Sequence, residues 1–196
     1  MTGYNASTAL VVVDVQNDFA DPAGSLYVRG GEDVVSRIND EIHLALTDGA
    51  FVVYTQDWHP RSTPHFAKDG GVWPVHCVGR TWGAEFHPEL DVSEDAVVLR
   101  KGTGGEDGYS VFTVRDPETG DEAATALERI LRAHGIERLV IVGLATDYCV
   151  KDTVLDARRL GFPATVVTGA IRAVNLADDD GARAEQQMRD AGAVLV

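Results

Sequence analysis

The sequence predicts an α/β fold: a doubly wound three-layer α/β/α sandwich with a six-stranded, mainly parallel sheet. Three observations predict it. Helical patterns end in glycine, apolar runs follow those glycines at once, and the runs do not alternate with polar residues. Glycine adopts the left-handed conformation that ends a helix. Runs rich in valine and isoleucine without alternation are typical of strands buried on both faces, as in a parallel sheet.

Six apolar runs supply the strands in chain order. The first is residues 9–13, the second is AFVVYTQ after ALTDG, and the third is residues 96–99. The last three strands each follow a glycine-ended helical pattern: IERLVIVG follows LRAHG, FPATVVTG follows ARRLG, and AVLV follows MRDAG. This order of strands and glycine-ended helices is typical of a parallel sheet with crossover helices.

The intervening helices are indicated by apolar side chains at three- and four-residue spacing, which form one buried stripe on a helix. One stripe contains Val34, Ile38, Ile42 and Ala45, and another contains Ala124, Leu127 and Leu131.

The composition is that of a globular protein. The chain has 196 residues, of which 44% are hydrophobic and 24% are charged. We expect one domain over residues 1–196, with a long irregular stretch at about residues 57–95, and long irregular stretches in compact domains are usually functional.

The charge and the cysteines indicate which partners and which cellular compartment to expect. A formal net charge of -14 opposes binding to nucleic acid or to an anionic membrane. Two cysteines, Cys77 and Cys149, argue against a disulfide framework and favour the reducing cytoplasm. The apolar run at residues 10–13 is cut off by Asp14, so it is too short for a signal peptide or a membrane span.

Polar side chains follow the predicted strands at their carboxyl ends, where open parallel sheets bind ligands. Asp14 follows the first strand, Asp57 and His59 the second, Lys101 the third, and Cys149 the fourth. We therefore expect a carboxylate, an amine, a thiol and a candidate metal pair to share one edge of the sheet.

Each of these residues also has an ordinary structural interpretation. Asp14 could cap a turn, Lys101 could be solvated, and Cys149 could be a small core side chain. Their joint placement favours chemistry instead. Asp14 can accept the thiol proton, while Lys101 and the positive end of a helix favour the thiolate. Backbone N–H groups of residues 144–146 and of Cys149 could hold an oxyanion.

A second group of polar residues lies in DWHPRSTPHF…WPVHC. It contains Asp57, His59, His65 and His76. One carboxylate and three imidazoles suit zinc, iron(II) or manganese, with positions left open for water or substrate. The alternative is a set of loop histidines with separate hydrogen-bonding roles. Phe19, Trp73 and Tyr109 lie near these motifs and either pack in the core or stack against a flat aromatic substrate.

The chain resembles the isochorismatase-like cysteine hydrolases, and within them the nicotinamidase/pyrazinamidase group. The resemblance runs from LVVVDVQNDF to the final strand. It rests on DVQNDF, QDWHP…H, WPVHCVGRTWGAEFHP, RKG and GLATDYCVKDT in that order, a combination that is specific although no single motif is.

The resemblance implies a single isochorismatase-like hydrolase domain whose loop at about residues 57–95 binds metal. It also implies a cis peptide bond between Leu144 and Ala145, and roles for four groups of residues. The implied catalytic triad is Asp14, Lys101 and Cys149, and the implied oxyanion hole is formed by Ala145 and Cys149. The implied metal ligands are Asp57, His59, His65 and His76. The implied contacts of the substrate ring are Phe19, Trp73, Tyr109 and Leu144.

The implied activity is hydrolysis of nicotinamide, and of analogues such as pyrazinamide, to nicotinate and ammonia through a cysteine thioester, in NAD salvage. The expected cofactor is one divalent metal ion (zinc, iron or manganese). The expected partner is a small pyridine carboxamide, and both a monomer and a small homo-oligomer fit the sequence.

Three alternatives stand beside this activity. The nearest is another amidase of the superfamily, acting on a ureido, carbamoyl or biuret-type substrate. The second is a non-catalytic relative that binds a metabolite or a partner. The third is a hydrolase in which a metal hydroxide attacks and Cys149 is a bystander. The complete metal set and Trp73 favour nicotinamide, because small ureido substrates have no ring nitrogen for the metal to hold.

Overall fold

The computed structural model describes residues 3–196. Its strands form one six-stranded sheet and one two-stranded hairpin. The strands are β1 (Thr8–Val13), β2 (Phe51–Asp57), β3 (Val97–Lys101), β4 (Thr113–Arg115), β5 (Glu122–Ala124), β6 (Arg138–Leu144), β7 (Ala164–Arg172) and β8 (Val194–Leu195). The large sheet has the order β3-β2-β1-β6-β7-β8, and all of its neighbouring strands are parallel.

Five α-helices connect these strands. They are α1 (Asn17–Ala20), α2 (Val35–Thr47), α3 (Leu127–Ala133), α4 (Lys151–Arg159) and α5 (Asp180–Asp190), and a π-helical turn at Thr146–Val150 precedes α4. The predicted helix-ending glycines all have a left-handed backbone; they are Gly49, Gly135, Gly161 and Gly192.

The predicted α/β fold is confirmed by the packing on the two faces of the sheet. In β1, Leu10 and Val12 belong to one hydrophobic cluster, which includes the buried face of α2. Ala9, Val11 and Val13 belong to a second cluster, which includes side chains of α3, α4 and α5. The alternate side chains of a strand point to opposite faces, so the central strand is buried between two helical layers.

The hairpin of β4 and β5 was not predicted, and it corrects one helical assignment. Ala124 lies in β5 and is exposed, whereas Leu127 and Leu131 line the buried side of α3 as expected. The two strands have only three residues each and no buried residue, so they lack the apolar pattern that identifies a strand.

Residues 57–95 are largely irregular, starting from the last residue of β2. Its regular structure is limited to two short 3₁₀ turns at Ala67–Asp69 and Trp82–Ala84. Isolated bridges between His59 and Val78 and between Phe66 and Trp73 fold it against itself. Within residues 3–196, no helix has the length and apolar character needed to cross a membrane.

Candidate active site

Four neighbouring strands of the sheet end at the site. Asp14 follows β1 directly, Asp57 and Lys101 are the last residues of β2 and β3, and Cys149 lies in the π-helical turn that follows β6. The strand order β3-β2-β1-β6 places these four ends side by side. The structure therefore brings together the residues that the sequence assigns to this edge.

Lys101 is the centre of the buried polar group. Its Nζ lies 3.0 Å from Asp14 Oδ2 and 3.6 Å from Cys149 Sγ, and it forms an ion pair with Asp57 Oδ1. All four side chains are buried. An ammonium shared by two carboxylates and a thiol in this position can balance charge as a proton moves between sulfur and oxygen.

Burial favours the protonated form of the Cys149 thiol. Burial raises the pKa of Cys149 well above that of a free thiol; Lys101 opposes this, and Asp14 adds to it. Burial also raises the pKa of Asp14, against the lowering effect of Lys101. The lysine stays charged, because Asp14 and Asp57 outweigh the effect of burial and raise its pKa. A thiolate at Cys149 would therefore require transfer of the proton to a neighbouring group.

Thr55 on β2 holds Asp14 in place. Its hydroxyl donates to Asp14 Oδ1 at 2.7 Å and accepts the Asp14 N–H at 3.2 Å. Asp14 has a φ of 49°, in the left-handed region that residues other than glycine rarely adopt, at a cost of about 1–3 kcal/mol. The two hydrogen bonds help to fix the carboxylate at the end of β1 in this conformation.

The chain enters the cysteine turn through a tight approach between β6 and β1. Gly143 has a φ of 117°, and a Cβ there would lie 2.1 Å from Val13 O, so only glycine fits. The peptide bond between Leu144 and Ala145 is cis, as the resemblance implies. Ala145 O accepts the N–H groups of Tyr148 and Val150, which begins the helical segment containing Cys149. The oxyanion role of Ala145 and Cys149 stays a prediction.

Three imidazoles meet at the other end of the site. One ring nitrogen each of His59, His65 and His76 lies within 4.8 Å of the others. His65 Nδ1 pairs with Asp107 Oδ1 at 2.7 Å and His76 Nδ1 with Pro74 O at 2.8 Å, which leaves the Nε2 atoms of both rings available.

These residues fit a metal ion. Both ring nitrogens of His59 are buried and have no hydrogen-bond partner among the described residues. Burial lowers the pKa of His76 to about 4, so this ring is neutral at neutral pH, as a metal ligand must be. Ring nitrogens oriented by carboxylate and carbonyl acceptors are typical of metal-binding histidines.

Asp57 lies between the two groups. Its Oδ1 faces Lys101, while its Oδ2 lies 3.8 Å from His59 Nε2 and 3.9 Å from His76 Nε2. Burial would raise its pKa, but Lys101 and His59 lower the pKa below the usual range, so the carboxylate is ionised. It can therefore serve both the ammonium and a metal ion.

A cavity opens above these residues. Phe19, Trp73 and Tyr109 line it, together with Cys149 and His76 among others, and their contact with a substrate stays a prediction. This arrangement places a thiol and an imidazole in one aromatic pocket, a composition suited to a small flat ligand.

Leu144 is the exception among the predicted substrate contacts. Its side chain is fully buried in the core cluster that contains α2, and it does not line the cavity. The side chain of a strand residue points to one face of the sheet, and here that face is the core. Leu144 is therefore a core residue, and this corrects the expected substrate contact.

A comparison with known families assigns the chain to a family. The Isochorismatase domain model matches residues 8–196. The chain belongs to the isochorismatase family.

Relatives in this family include a curated nicotinamidase of Escherichia coli, which is 40% identical, with 95% of this chain and 93% of that protein covered. The structure of the pyrazinamidase of Pyrococcus horikoshii in complex with zinc has a TM-score of 0.86 and 39% identity, covering 97% of this chain and 98% of that chain. PnC1 from L. infantum in complex with nicotinate has a TM-score of 0.87 and 34% identity, covering 98% and 94%.

Sequence reasoning missed several residues of this isochorismatase-family site. Tyr148 lines the cavity, with its ring centroid 5.0 Å from that of Trp73 and 5.2 Å from that of Tyr109. It directly precedes Cys149, so the cysteine motif itself could have indicated it. Thr55 could have been found as well, because it lies two residues before Asp57 on the same face of β2.

Proposed function

We propose that this isochorismatase-family protein is an amidase that hydrolyses nicotinamide, and analogues such as pyrazinamide, to nicotinate and ammonia. The observation that carries the proposal is the buried Asp14–Lys101–Cys149 group at a cavity that also exposes His65 and His76. Similarity to a nicotinamidase and to a nicotinate complex supports the pyridine substrate. Such relatives are amidohydrolases that act on the carbon–nitrogen bonds of linear amides.

The first half of the reaction forms a thioester. Asp14 accepts the proton of Cys149, and Lys101 compensates the negative charge that then moves between oxygen and sulfur. The sulfur attacks the carboxamide carbon, while the N–H groups of Ala145 and Cys149 bind the developing oxyanion. Asp14 then returns its proton to the amide nitrogen, so that the carbon–nitrogen bond breaks and ammonia leaves.

The second half hydrolyses the thioester. Asp14, ionised again, accepts a proton from a water molecule that attacks the thioester carbon. The carbon–sulfur bond breaks, the acid product leaves, and Asp14 returns the proton to the sulfur. The protonated thiol that burial favours in the resting site is thereby restored.

His59, His65 and His76, with Asp57 beside them, would hold one divalent metal ion. When bound, the ion supplies a Lewis-acid contact for the ring nitrogen of the substrate. The zinc in the Pyrococcus pyrazinamidase supports zinc, while the donor set also suits iron or manganese. Phe19, Trp73 and Tyr109 would hold the ring and exclude water.

In this function the chain is one hydrolase domain with a metal-binding loop at about residues 57–95. It acts in NAD salvage in the cytoplasm, with a small pyridine carboxamide as its partner, and its active form is either a monomer or a homo-oligomer. The charge of -14 supports the absence of nucleic-acid and membrane partners.

The test is ammonia release from nicotinamide by the metal-replete parent, by Cys149→Ala and by Cys77→Ala. Cys77 is the matched control, because it is the other buried free cysteine and does not line the cavity. We expect activity in the parent and in Cys77→Ala and none in Cys149→Ala. Equal activity in the parent and in Cys149→Ala would assign the chemistry to the metal. An inactive parent would contradict nicotinamide and redirect the search to ureido and carbamoyl amides.

A further inference from the structure

Asp107 lies beside the three imidazoles, and the mechanism above does not use it. Its Oδ1 is 2.7 Å from His65 Nδ1. An ionised carboxylate only accepts hydrogen bonds, so Nδ1 carries the hydrogen and Nε2 keeps its lone pair. The contact therefore fixes His65 in the tautomer that can bind a metal through Nε2.

Asp107 is itself held by the hairpin. Its N–H and C=O both pair with the backbone of Arg115 in β4, each at 2.7 Å. Its Oδ1 also accepts the Gly108 N–H at 2.8 Å, and Arg115 Nη2 lies 3.3 Å from its Oδ2. The carboxylate thus has a position that the hairpin defines independently of His65.

The segment that contains Asp107, residues 102–115, also forms part of the wall of the cavity. Tyr109 follows Asp107 by two residues, and its hydroxyl accepts the Trp73 Nε1–H at 2.9 Å. Both aromatic side chains line the cavity. A second link ties the segment to the metal-binding loop, because the Thr63 hydroxyl donates to Gly105 O at 3.2 Å. A shift of this segment would therefore move one imidazole and two cavity walls together.

We infer that Asp107 is a positioning residue that orients His65 for the metal and couples metal binding to the cavity wall formed by Tyr109 and Trp73. The inference rests on the metal centre of the proposed function. Carboxylates that accept from metal-binding histidines typically change metal affinity by about 10–100-fold when removed.

The first test is zinc affinity, measured on the full chain without substrate by competition with a chromogenic chelator. We expect Asp107→Ala to bind zinc about 10–100-fold more weakly. Asp107→Asn should lose less, because its amide oxygen can still accept from His65. Asp116→Ala is the matched control. This acid caps the turn of the same hairpin by accepting the N–H groups of Glu118 and Thr119, and its side chain has no hydrogen bond to an imidazole among residues 3–196.

The second test is hydrogen exchange of residues 102–115 with and without zinc. Zinc should slow exchange there in the parent and in Asp116→Ala but not in Asp107→Ala. The inference is overturned if Asp107→Ala keeps the parent affinity, if Asp116→Ala loses as much, or if zinc still protects the segment in Asp107→Ala. A parent that binds no zinc would overturn the metal centre and the inference together. Because neither measurement uses nicotinamide, an error in the substrate would leave both results valid.

Discussion

The thiol end and the imidazole end of the cavity are built in different ways. At the thiol end, Asp14, Lys101 and Cys149 lie at the ends of adjacent parallel strands, so the sheet itself fixes their separation. At the imidazole end, His65 and His76 lie on an irregular loop. His65 is oriented by Asp107 from another segment, and His76 by the carbonyl of Pro74 in its own loop. Strand geometry therefore positions the proposed nucleophile, whereas contacts within and between loops position the proposed metal ligands.

Asp57 is the one residue that both ends share among those described. It ends β2, yet its two oxygens face opposite ways, one toward Lys101 and the other toward His59 and His76. A metal ion at the imidazoles would draw on the same carboxylate that now balances Lys101. Substitutions that affect one end and spare the other measure how independent the two ends are.

The largest expected effect is at the thiol end. Asp14→Asn removes the base that accepts the Cys149 proton, and general acid–base groups contribute about 100- to 10,000-fold, so kcat should fall by that range. KM and zinc affinity should stay near the parent values, because Asp14 does not line the cavity and is not one of the imidazole group. Steady-state kinetics on nicotinamide and chelator competition measure these quantities.

If the zinc affinity of Asp14→Asn fell together with its kcat, the two ends would not be independent, and Asp57 would transmit the change. A kcat within a few-fold of the parent would remove Asp14 as the base.

The difference between the ends also explains what the sequence could predict. Buried apolar runs identify strands, and the carboxyl ends of parallel strands share one edge, so the placement of Asp14, Lys101 and Cys149 follows from the order of the chain. The parallel six-stranded sheet was predictable for the same reason. Leu144 was misassigned because a resemblance indicates that a position lies near the substrate, but not which way its side chain points.

The imidazole end was predictable only as a set of residue types. The histidines could be recognised by their chemistry, but the partner of His65 comes from a distant segment that no periodic pattern connects to it. Asp107 lies 42 residues from His65 in the chain, in a glycine-rich segment beside a hairpin of three-residue strands. Such contacts depend on how loops pack, and a single sequence carries little signal for them.

The second prediction tests the imidazole end. His59→Ala removes a buried ring whose nitrogens have no hydrogen-bond partner within residues 3–196. Zinc affinity should therefore fall by more than the roughly 10–100-fold expected for a residue that only orients a ligand. Alkylation of Cys149 in the metal-free protein should keep the parent rate, because Lys101 and Asp14 remain in place. Chelator competition and mass spectrometry of the modified cysteine provide the measurements.

His87→Ala is the matched control for His59→Ala. His87 is also buried, and its Nδ1 accepts the Glu89 N–H outside the imidazole group. Parent-like zinc binding by His59→Ala, or an equal loss in His87→Ala, would contradict the assignment of the metal to these three rings.

The smallest effect concerns how β2 tunes the base at the thiol end. The Thr55 hydroxyl donates to the Asp14 carboxylate and lowers its pKa, against the raising effect of burial. Asp14 must be ionised to accept the thiol proton, so kcat/KM falls as the pH drops through the Asp14 pKa. Thr55→Val removes the donor and raises that pKa further. Since a hydrogen bond to a charged group contributes about 1.5–3 kcal/mol, the loss of activity should begin at a pH about one to two units higher.

Thr55→Ser keeps the hydroxyl and should return the acid limb of the kcat/KM profile to the parent position, which a purely structural effect of the substitution would not do. Well above the limb, where Asp14 is ionised in all three proteins, the rates should converge to within about tenfold. An acid limb that stays in place in Thr55→Val, or that moves equally in Thr55→Ser, would mean that Thr55 does not tune the base. The sheet would then position Asp14 without setting its pKa through this hydroxyl, and the thiol end would depend on strand geometry and Lys101 alone.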